Sequence, residues 1–141
     1  NEVVGYNSRL DEIQAAFLSI KLQALDQINN HKRKLADIYL NTLNEDFVLP
    51  VVHPDYFDVY HIFNVRHPKR DELRQHLLEN DIKTEIHYPV APVNQQAMQG
   101  ILDGQETPIA QLIHATTLSL PISFYHTEAD VVRVVEVMNN F

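Results

Sequence analysis

The sequence predicts an α+β fold, in which a long N-terminal helix precedes a small, mainly antiparallel three-stranded sheet covered by helices. Two observations predict it. Residues 11–43 contain neither proline nor glycine, and their apolar residues recur at helical spacing. After residue 44, short β-branched runs end at prolines and are separated by segments with helical spacing. A few strands separated by helices are typical of one small sheet covered by helices.

The N-terminal helix is expected to begin at Asp11, whose side chain can cap it with Gln14 three residues on; Ser8 is the competing cap. At about 1.5 Å per residue the segment would be nearly 50 Å long. Asn29-Asn30 interrupts its apolar stripe and is the expected position of a bend or break. Such a helix favours a bridge between two domains, so residues 1–43 are predicted to form a loop and interdomain helix, and residues 44–141 the α+β domain.

The remaining elements follow from apolar spacing and proline positions. Strands are predicted at residues 59–66, 84–88 and 117–120, with an edge strand or irregular segment at 47–52. Helices are predicted at residues 70–79, 95–102 and 108–116. Thr127 is expected to cap the last helix together with Asp130.

Composition excludes several classes of function. The 141 residues suffice for one domain, and they include no cysteine, so neither a disulfide framework nor a thiolate metal site is available. The net charge of −8 argues against nucleic acid as a partner, and no apolar run is long enough to predict a membrane span. No histidine pair has metal-ligand spacing at i, i+4, and three glycines cannot form a P-loop or dinucleotide fingerprint.

The segment Gly5–Ala16 combines a glycine-led polar loop with a helix start. Backbone amides at a helix N-terminus, together with Asn7 and Arg9, would suit a phosphate group. The spacing by itself favours a plainer interpretation, in which Asn7 is a turn residue and Arg9 a solvated side chain.

His87 and Tyr88 end a predicted strand before Pro89. Strand ends and the loops after them are where polar groups converge on ligands. From the residues alone, half-buried packing roles are the more natural interpretation. His61 lies among apolar neighbours in another predicted strand and is expected to belong to the core.

Four strings, in order, resemble the nucleotide-sugar aminotransferases of DegT/StrS type, a branch of the fold-type-I enzymes that depend on pyridoxal 5'-phosphate (PLP). They are Gly5–Ala16, Tyr60–Arg66 followed by Arg70-Asp71, Ile82–Pro89 and Leu118–Pro121. The resemblance implies that Asn7 and Arg9 bind the cofactor phosphate, Asn7 reaching the neighbouring protomer of a homodimer. It also implies that Tyr6, His87 and Tyr88 line the substrate site. Leu118–Pro121 would have a structural role only, as the end of a strand.

The resemblance further implies that this chain is the C-terminal domain of a cytoplasmic aminotransferase. The parent enzyme would move an amino group, from glutamate, to a keto-sugar carried on dTDP or UDP, in deoxyaminosugar or lipopolysaccharide biosynthesis. The five lysines are expected on polar helix faces or in turns, and none has the context of the family's cofactor lysine. No catalytic residue is therefore assigned, the large PLP-binding domain is taken to lie outside this chain, and the chain alone is predicted to be inactive and free of PLP.

Two other classes of function stay open on the sequence. The chain could be an autonomous α+β module that binds a small anion, or an interaction domain whose helix stripe at residues 11–43 docks a partner helix. The first would show saturable anion binding by the chain alone. A truncated domain would leave the wide apolar face of this helix exposed and should self-associate, whereas a monomer with a fully buried helix would favour the autonomous module.

Overall fold

The computed structural model describes residues 2–141, which form five α-helices and two β-strands. The helices are α1 (Glu12–Leu22), α2 (Leu25–Thr42), α3 (Arg70–Glu79), α4 (Pro108–Thr116) and α5 (Glu128–Asn139). The strands are β1 (Phe63–Arg66) and β2 (Thr117–Leu120). No helix within residues 2–141 combines the length and hydrophobicity needed to cross a bilayer.

The expectation of one long N-terminal helix is wrong, because the chain forms α1 and α2 with a break at Gln23-Ala24. The amides of these two residues bond to carbonyls three positions back, which tightens the helix into a turn. Asn29-Asn30, the expected break, lies inside α2. Helix α2 packs along α5, whereas no residue between Glu12 and Leu22 is buried. Packing therefore keeps α2 regular through the two asparagines.

The capping predictions at the helix starts are confirmed. The Asp11 side chain accepts a hydrogen bond from the Gln14 amide at 2.7 Å, and α1 begins at the next residue. Thr127 and Asp130 form a reciprocal capping box at the start of α5. Helices α3 and α4 have the predicted bounds. The helix predicted at residues 95–102 is wrong, because the chain there forms short 3-10 turns at Pro92–Asn94 and Gln96–Met98.

The sheet contains two antiparallel strands rather than three. Strands β1 and β2 pair from Phe63 opposite Leu120 to Arg66 opposite Thr117. The predicted third strand is reduced to one bridge, Glu85 with Ser119, and the predicted edge segment to one bridge from Val48 to Arg66. The strand predicted at residues 59–66 begins only at Phe63, because Tyr60 adopts a φ of 46° that breaks the extended backbone.

One hydrophobic core lies between the sheet and helices α2, α3 and α5. Tyr39 and Phe63 are fully buried at its centre, and their rings stack with centroids 4.9 Å apart. The Tyr39 hydroxyl donates to the Pro121 carbonyl at 2.9 Å, so the only polar atom of that side chain has a partner. The other fully buried large residues are Leu35, Leu73, Leu77, Leu118, Met138, Val65, Val131 and Thr117.

Burial raises the pKa of Tyr39 well above its ordinary value. The unfolded chain therefore loses the proton of this phenol at a lower pH than the folded chain does. The free energy of unfolding should then fall as the pH rises above about 10. Tyr39→Phe should remove this part of the alkaline loss and cost about 0.5–1.5 kcal/mol at neutral pH. Urea unfolding of both proteins between neutral and alkaline pH measures the two effects. Equal alkaline slopes would contradict the prediction.

Candidate functional site

The loop before α1 carries three of the predicted site residues. Tyr6, Asn7 and Arg9 lie in a segment without regular secondary structure, and all three side chains are exposed. Leu10 follows with a φ of 77°, a left-handed conformation that is unfavourable for leucine, and turns the chain into α1. The loop therefore presents an amide and a guanidinium to its surroundings.

The N-terminus of α1 is less available to an anion than the sequence suggested. The carboxylate of Asp11 already accepts from the Gln14 amide, and Glu12 adds a second negative charge in the first turn. Both charges oppose an anion at the helix end. A phosphate bound by this loop would depend on the side chains of Asn7 and Arg9. The structure does not support the expectation that backbone amides at the start of α1 also bind it.

The second group of predicted residues lies where the chain bridges to β2. Glu85 and Ser119 exchange both backbone hydrogen bonds, at 3.2 and 2.7 Å, and His87 follows two residues after Glu85. His87 is half-buried, and Tyr88 is exposed. The two rings meet edge to face with centroids 5.4 Å apart. His114 in α4 approaches the Tyr88 carbonyl with its Nδ1, which holds this segment against α4.

The side chain of His87 belongs to a hydrogen-bonded chain across the sheet. Its Nδ1 lies 2.8 Å from the Ser119 hydroxyl, which in turn donates to Oδ1 of Asn64. Ser119 is only 5% exposed, and Asn64 is its register partner in β1. Among residues 2–141, Nε2 of His87 makes no hydrogen bond, so it is the free polar atom of the ring.

A small cavity of about 180 Å³ adjoins His87. Its lining includes His61, Lys83 and Glu85, so groups of both charges face the same space. Thr84 also lines it; this residue is 8% exposed, and its hydroxyl has no partner within the described part of the chain. The expectation that His61 belongs to the core is wrong: Tyr60 breaks the strand, and His61 is exposed.

The structure therefore places the predicted residues in two groups. Tyr6, Asn7 and Arg9 share the loop before α1, and His87 and Tyr88 share the segment bridged to β2. No hydrogen bond between side chains connects the groups within residues 2–141. This arrangement leaves the roles assigned to the five residues as predictions.

Two polar residues at the site were missed by the sequence argument. Leu118–Pro121 was expected to have a structural role only, as the end of a strand, but Ser119 within it contacts both His87 and Asn64. A serine between two buried leucines is a usable signal, because a buried hydroxyl needs a partner. Asn64, between Phe63 and Val65, carries the same signal.

The lysines were expected on polar faces or in turns, and four of the five are exposed. Lys32 differs, because it is buried in α2, and this burial lowers its pKa. The placement predicted for Lys32 is wrong, because this side of α2 faces the body of the domain. The described residues contain no cluster of three or more histidine or carboxylate side chains that could hold a metal ion.

Comparison with known proteins gives consistent matches along the chain. The DegT/DnrJ/EryC1/StrS aminotransferase family matches residues 1–139. The chain is 43% identical, over 97% of its length, to a dTDP-3-amino-3,6-dideoxy-alpha-D-galactopyranose transaminase from Aneurinibacillus thermoaerophilus. It is 39% identical, over its whole length, to a dTDP-3-amino-3,4,6-trideoxy-alpha-D-glucose transaminase from Streptomyces venezuelae.

A solved structure shows the same fold. The crystal structure of S. venezuelae DesV in complex with a ketimine intermediate superposes on 99% of this chain with a TM-score of 0.88 and 39% identity. The chain covers 38% of that structure and 38% of the length of each of the two relatives. The match over residues 1–139, the relatives and the shared fold establish that this chain belongs to the DegT/DnrJ/EryC1/StrS aminotransferase family.

Proposed function

We propose that this chain is the C-terminal part of a PLP-dependent aminotransferase that acts on a nucleotide-linked keto-sugar. One observation carries the proposal: nearly the whole chain aligns, at 43% identity, with 38% of a dTDP-sugar transaminase. The parent protein takes an amino group, from glutamate, and transfers it to the keto-sugar. Two relatives whose names specify dTDP-sugars favour dTDP over UDP as the nucleotide.

The loop before α1 binds phosphate groups in this proposal. Asn7 and Arg9 are exposed donors two residues apart in one loop, which is the donor set that an anionic phosphate needs. Asn7 reaches across the interface of a homodimer to the cofactor of the neighbouring protomer. Arg9 lies beside the same phosphate, and Tyr6 faces the pyrophosphate of the substrate.

His87 and Tyr88 form one wall of the sugar site. The free Nε2 of His87 and the exposed ring of Tyr88 give this wall one hydrogen-bonding atom and one flat apolar surface. The adjacent cavity of about 180 Å³ is smaller than a drug-sized ligand site, so the wall must be completed by other parts of the parent.

PLP, when bound, supplies the electron sink on which transamination depends. The exposed donors of this chain fit its phosphate, whereas four of the five lysines are solvated and Lys32 is buried in α2. We assign the lysine that holds PLP to the part of the parent outside this chain. The present chain binds and orients; it carries no catalytic residue.

The exposed apolar residues of α1 support this division of the parent. Five large side chains on this helix are more than half exposed: Ile13, Phe17, Leu18, Ile20 and Leu22. A soluble protein seldom leaves so many neighbouring apolar groups in water. In the parent, a cytoplasmic enzyme of deoxyaminosugar or lipopolysaccharide biosynthesis, this helix packs against the large domain. Within residues 1–43, the loop and α1 then have the interdomain role, and α2 belongs to the core of the α+β domain.

A chimera tests the proposal. In it, this chain replaces the corresponding 38% of the A. thermoaerophilus transaminase, and the purified protein is assayed with PLP, glutamate and a dTDP-linked 3-keto-6-deoxyhexose. Turnover is expected, because the chain would supply a compatible phosphate loop and sugar wall. A chimera that is folded and dimeric but neither retains PLP nor turns over would contradict the proposal.

A further inference from the structure

Strand pairing brings Asn64, Ser119 and the segment carrying His87 into one row. Residues opposite each other in an antiparallel pair project their side chains to the same face. Asn64 opposes Ser119, and Ser119 opposes Glu85, so these three share a face, and the ring of His87, two residues after Glu85, reaches the Ser119 hydroxyl. The row is therefore built by backbone hydrogen bonds, and the side-chain contacts follow from it.

With the Asn64 amide oriented as in the structure, so that Oδ1 faces Ser119, counting protons along this row gives the state of the imidazole. A serine hydroxyl has a single proton, and Ser119 donates its proton to Oδ1 of Asn64. The Ser119 oxygen can then only accept from His87, so Nδ1 must carry a proton to make the 2.8 Å contact. A neutral imidazole with a protonated Nδ1 has a bare Nε2, which accepts hydrogen bonds and cannot donate them.

We propose that Asn64 and Ser119 are positioning residues that hold neutral His87 as the Nδ1–H tautomer and present Nε2 as a hydrogen-bond acceptor. The group it recognises is then a donor, such as a hydroxyl. A phosphate oxygen, which only accepts, is not recognised by the neutral ring. That the hydroxyl is on the sugar of a nucleotide-sugar rests on the proposed function; the tautomer does not.

Nuclear magnetic resonance tests the tautomer directly. Long-range proton–nitrogen correlation spectra of the 141-residue chain, labelled with ¹⁵N in its eight histidines, distinguish a protonated ring nitrogen from a bare one. The pH should be raised until the His87 signals stop changing, so that the spectra report the neutral ring. The signals that disappear in His87→Gln identify His87. A protonated Nδ1 is expected; a protonated Nε2 would overturn the proposal.

Two variants test the positioning residues. Ser119→Ala removes the acceptor for Nδ1–H, so His87 should shift from one tautomer to a mixture of both. Asn64→Asp replaces the amide with a group that can only accept, so it should preserve the Nδ1–H tautomer. Unchanged His87 signals in Ser119→Ala, or a reversed tautomer in Asn64→Asp, would overturn the proposal.

The chain offers a matched control, because Ser123 makes a similar contact with Nδ1 of His126 at 2.9 Å. Ser123→Ala should leave the His87 signals unchanged. If Ser119→Ala does not fold, the wild-type and Asn64→Asp spectra still decide the matter. An inactive chimera would count against the proposed function and leave the tautomer result intact, whereas a reversed tautomer would leave the assignment to a transaminase intact.

Discussion

Asn7→Ala in the chimeric transaminase is expected to weaken PLP retention by about 10- to 100-fold. The amide of Asn7 is exposed and, in the proposed function, donates to the cofactor phosphate. A hydrogen bond to a charged group contributes about 1.5–3 kcal/mol, which corresponds to a loss of this size. Equilibrium dialysis of PLP against the variant and the parent chimera measures it.

Asn30→Ala provides the control for this variant, because Asn30 is an exposed asparagine on α2 and not on the loop before α1. It should retain PLP as well as the unmodified chimera does. Equal retention by Asn7→Ala and Asn30→Ala would remove Asn7 from the cofactor site.

Mixed dimers show which protomer Asn7 serves. A chimera carrying Asn7→Ala can be combined with one that lacks the PLP lysine of its large domain. If Asn7 reaches the neighbouring protomer, one site of the mixed dimer has both groups, and at limiting PLP the activity should rise above that of the Asn7→Ala chimera alone. If Asn7 serves its own protomer, no site is complete, and the mixture should show no such rise.

Phe63→Ala is expected to lower the free energy of unfolding of the 141-residue chain by about 3–5 kcal/mol. Phe63 is fully buried in β1 and stacks on Tyr39, so its loss leaves a cavity at the centre of the core. A change of this size is a large part of the stability of a small domain. Urea unfolding followed by circular dichroism measures it.

Phe17→Ala is the control for this prediction, because Phe17 lies on the exposed face of α1. The same truncation there should change the free energy of unfolding by less than about 0.5 kcal/mol. If Phe63→Ala proves too unstable to purify, Leu118→Ala on β2 should cost about 2–5 kcal/mol by the same mechanism. Equal effects at Phe63 and Phe17 would contradict the description of the core.

The elements that were predicted well have strong local signals. Helix α3 has apolar residues at helical spacing, and α5 has in addition the Thr127–Asp130 capping box. Both signals come from residues close together in the chain, so the sequence alone can show them. Strand β2 is similarly bounded by Pro121, which ends the run of buried residues.

The elements that were predicted poorly depend on tertiary contacts or on single backbone angles. The break at Gln23-Ala24 contains neither proline nor glycine, and it falls where the chain leaves the packed surface. The left-handed angle at Tyr60 shortens β1 and exposes His61, and no pattern of residues indicates it. Whether a segment such as 84–88 becomes a full strand or one bridge is decided by its neighbours in space.

In the candidate site, too, some features can be predicted from the sequence and others depend on tertiary contacts. Asn7, Arg9 and His87 were selected through a family resemblance, since their residue types and spacing alone favoured plainer roles. The hydrogen bonds of Ser119 with His87 and with Asn64 join residues 32 and 55 positions apart in the chain, and only the paired strands reveal them.

The central claim is that this chain contributes binding groups to a PLP enzyme and lacks the lysine that holds the cofactor. The most direct measurement is an absorbance scan of the isolated chain with added PLP, followed by borohydride reduction and mass spectrometry, beside the chimera. The chimera should show a stoichiometric lysine-linked band and turnover, and the isolated chain should show neither. A stoichiometric adduct on the isolated chain, whether at Lys32 or elsewhere, or transamination by it, would contradict the claim.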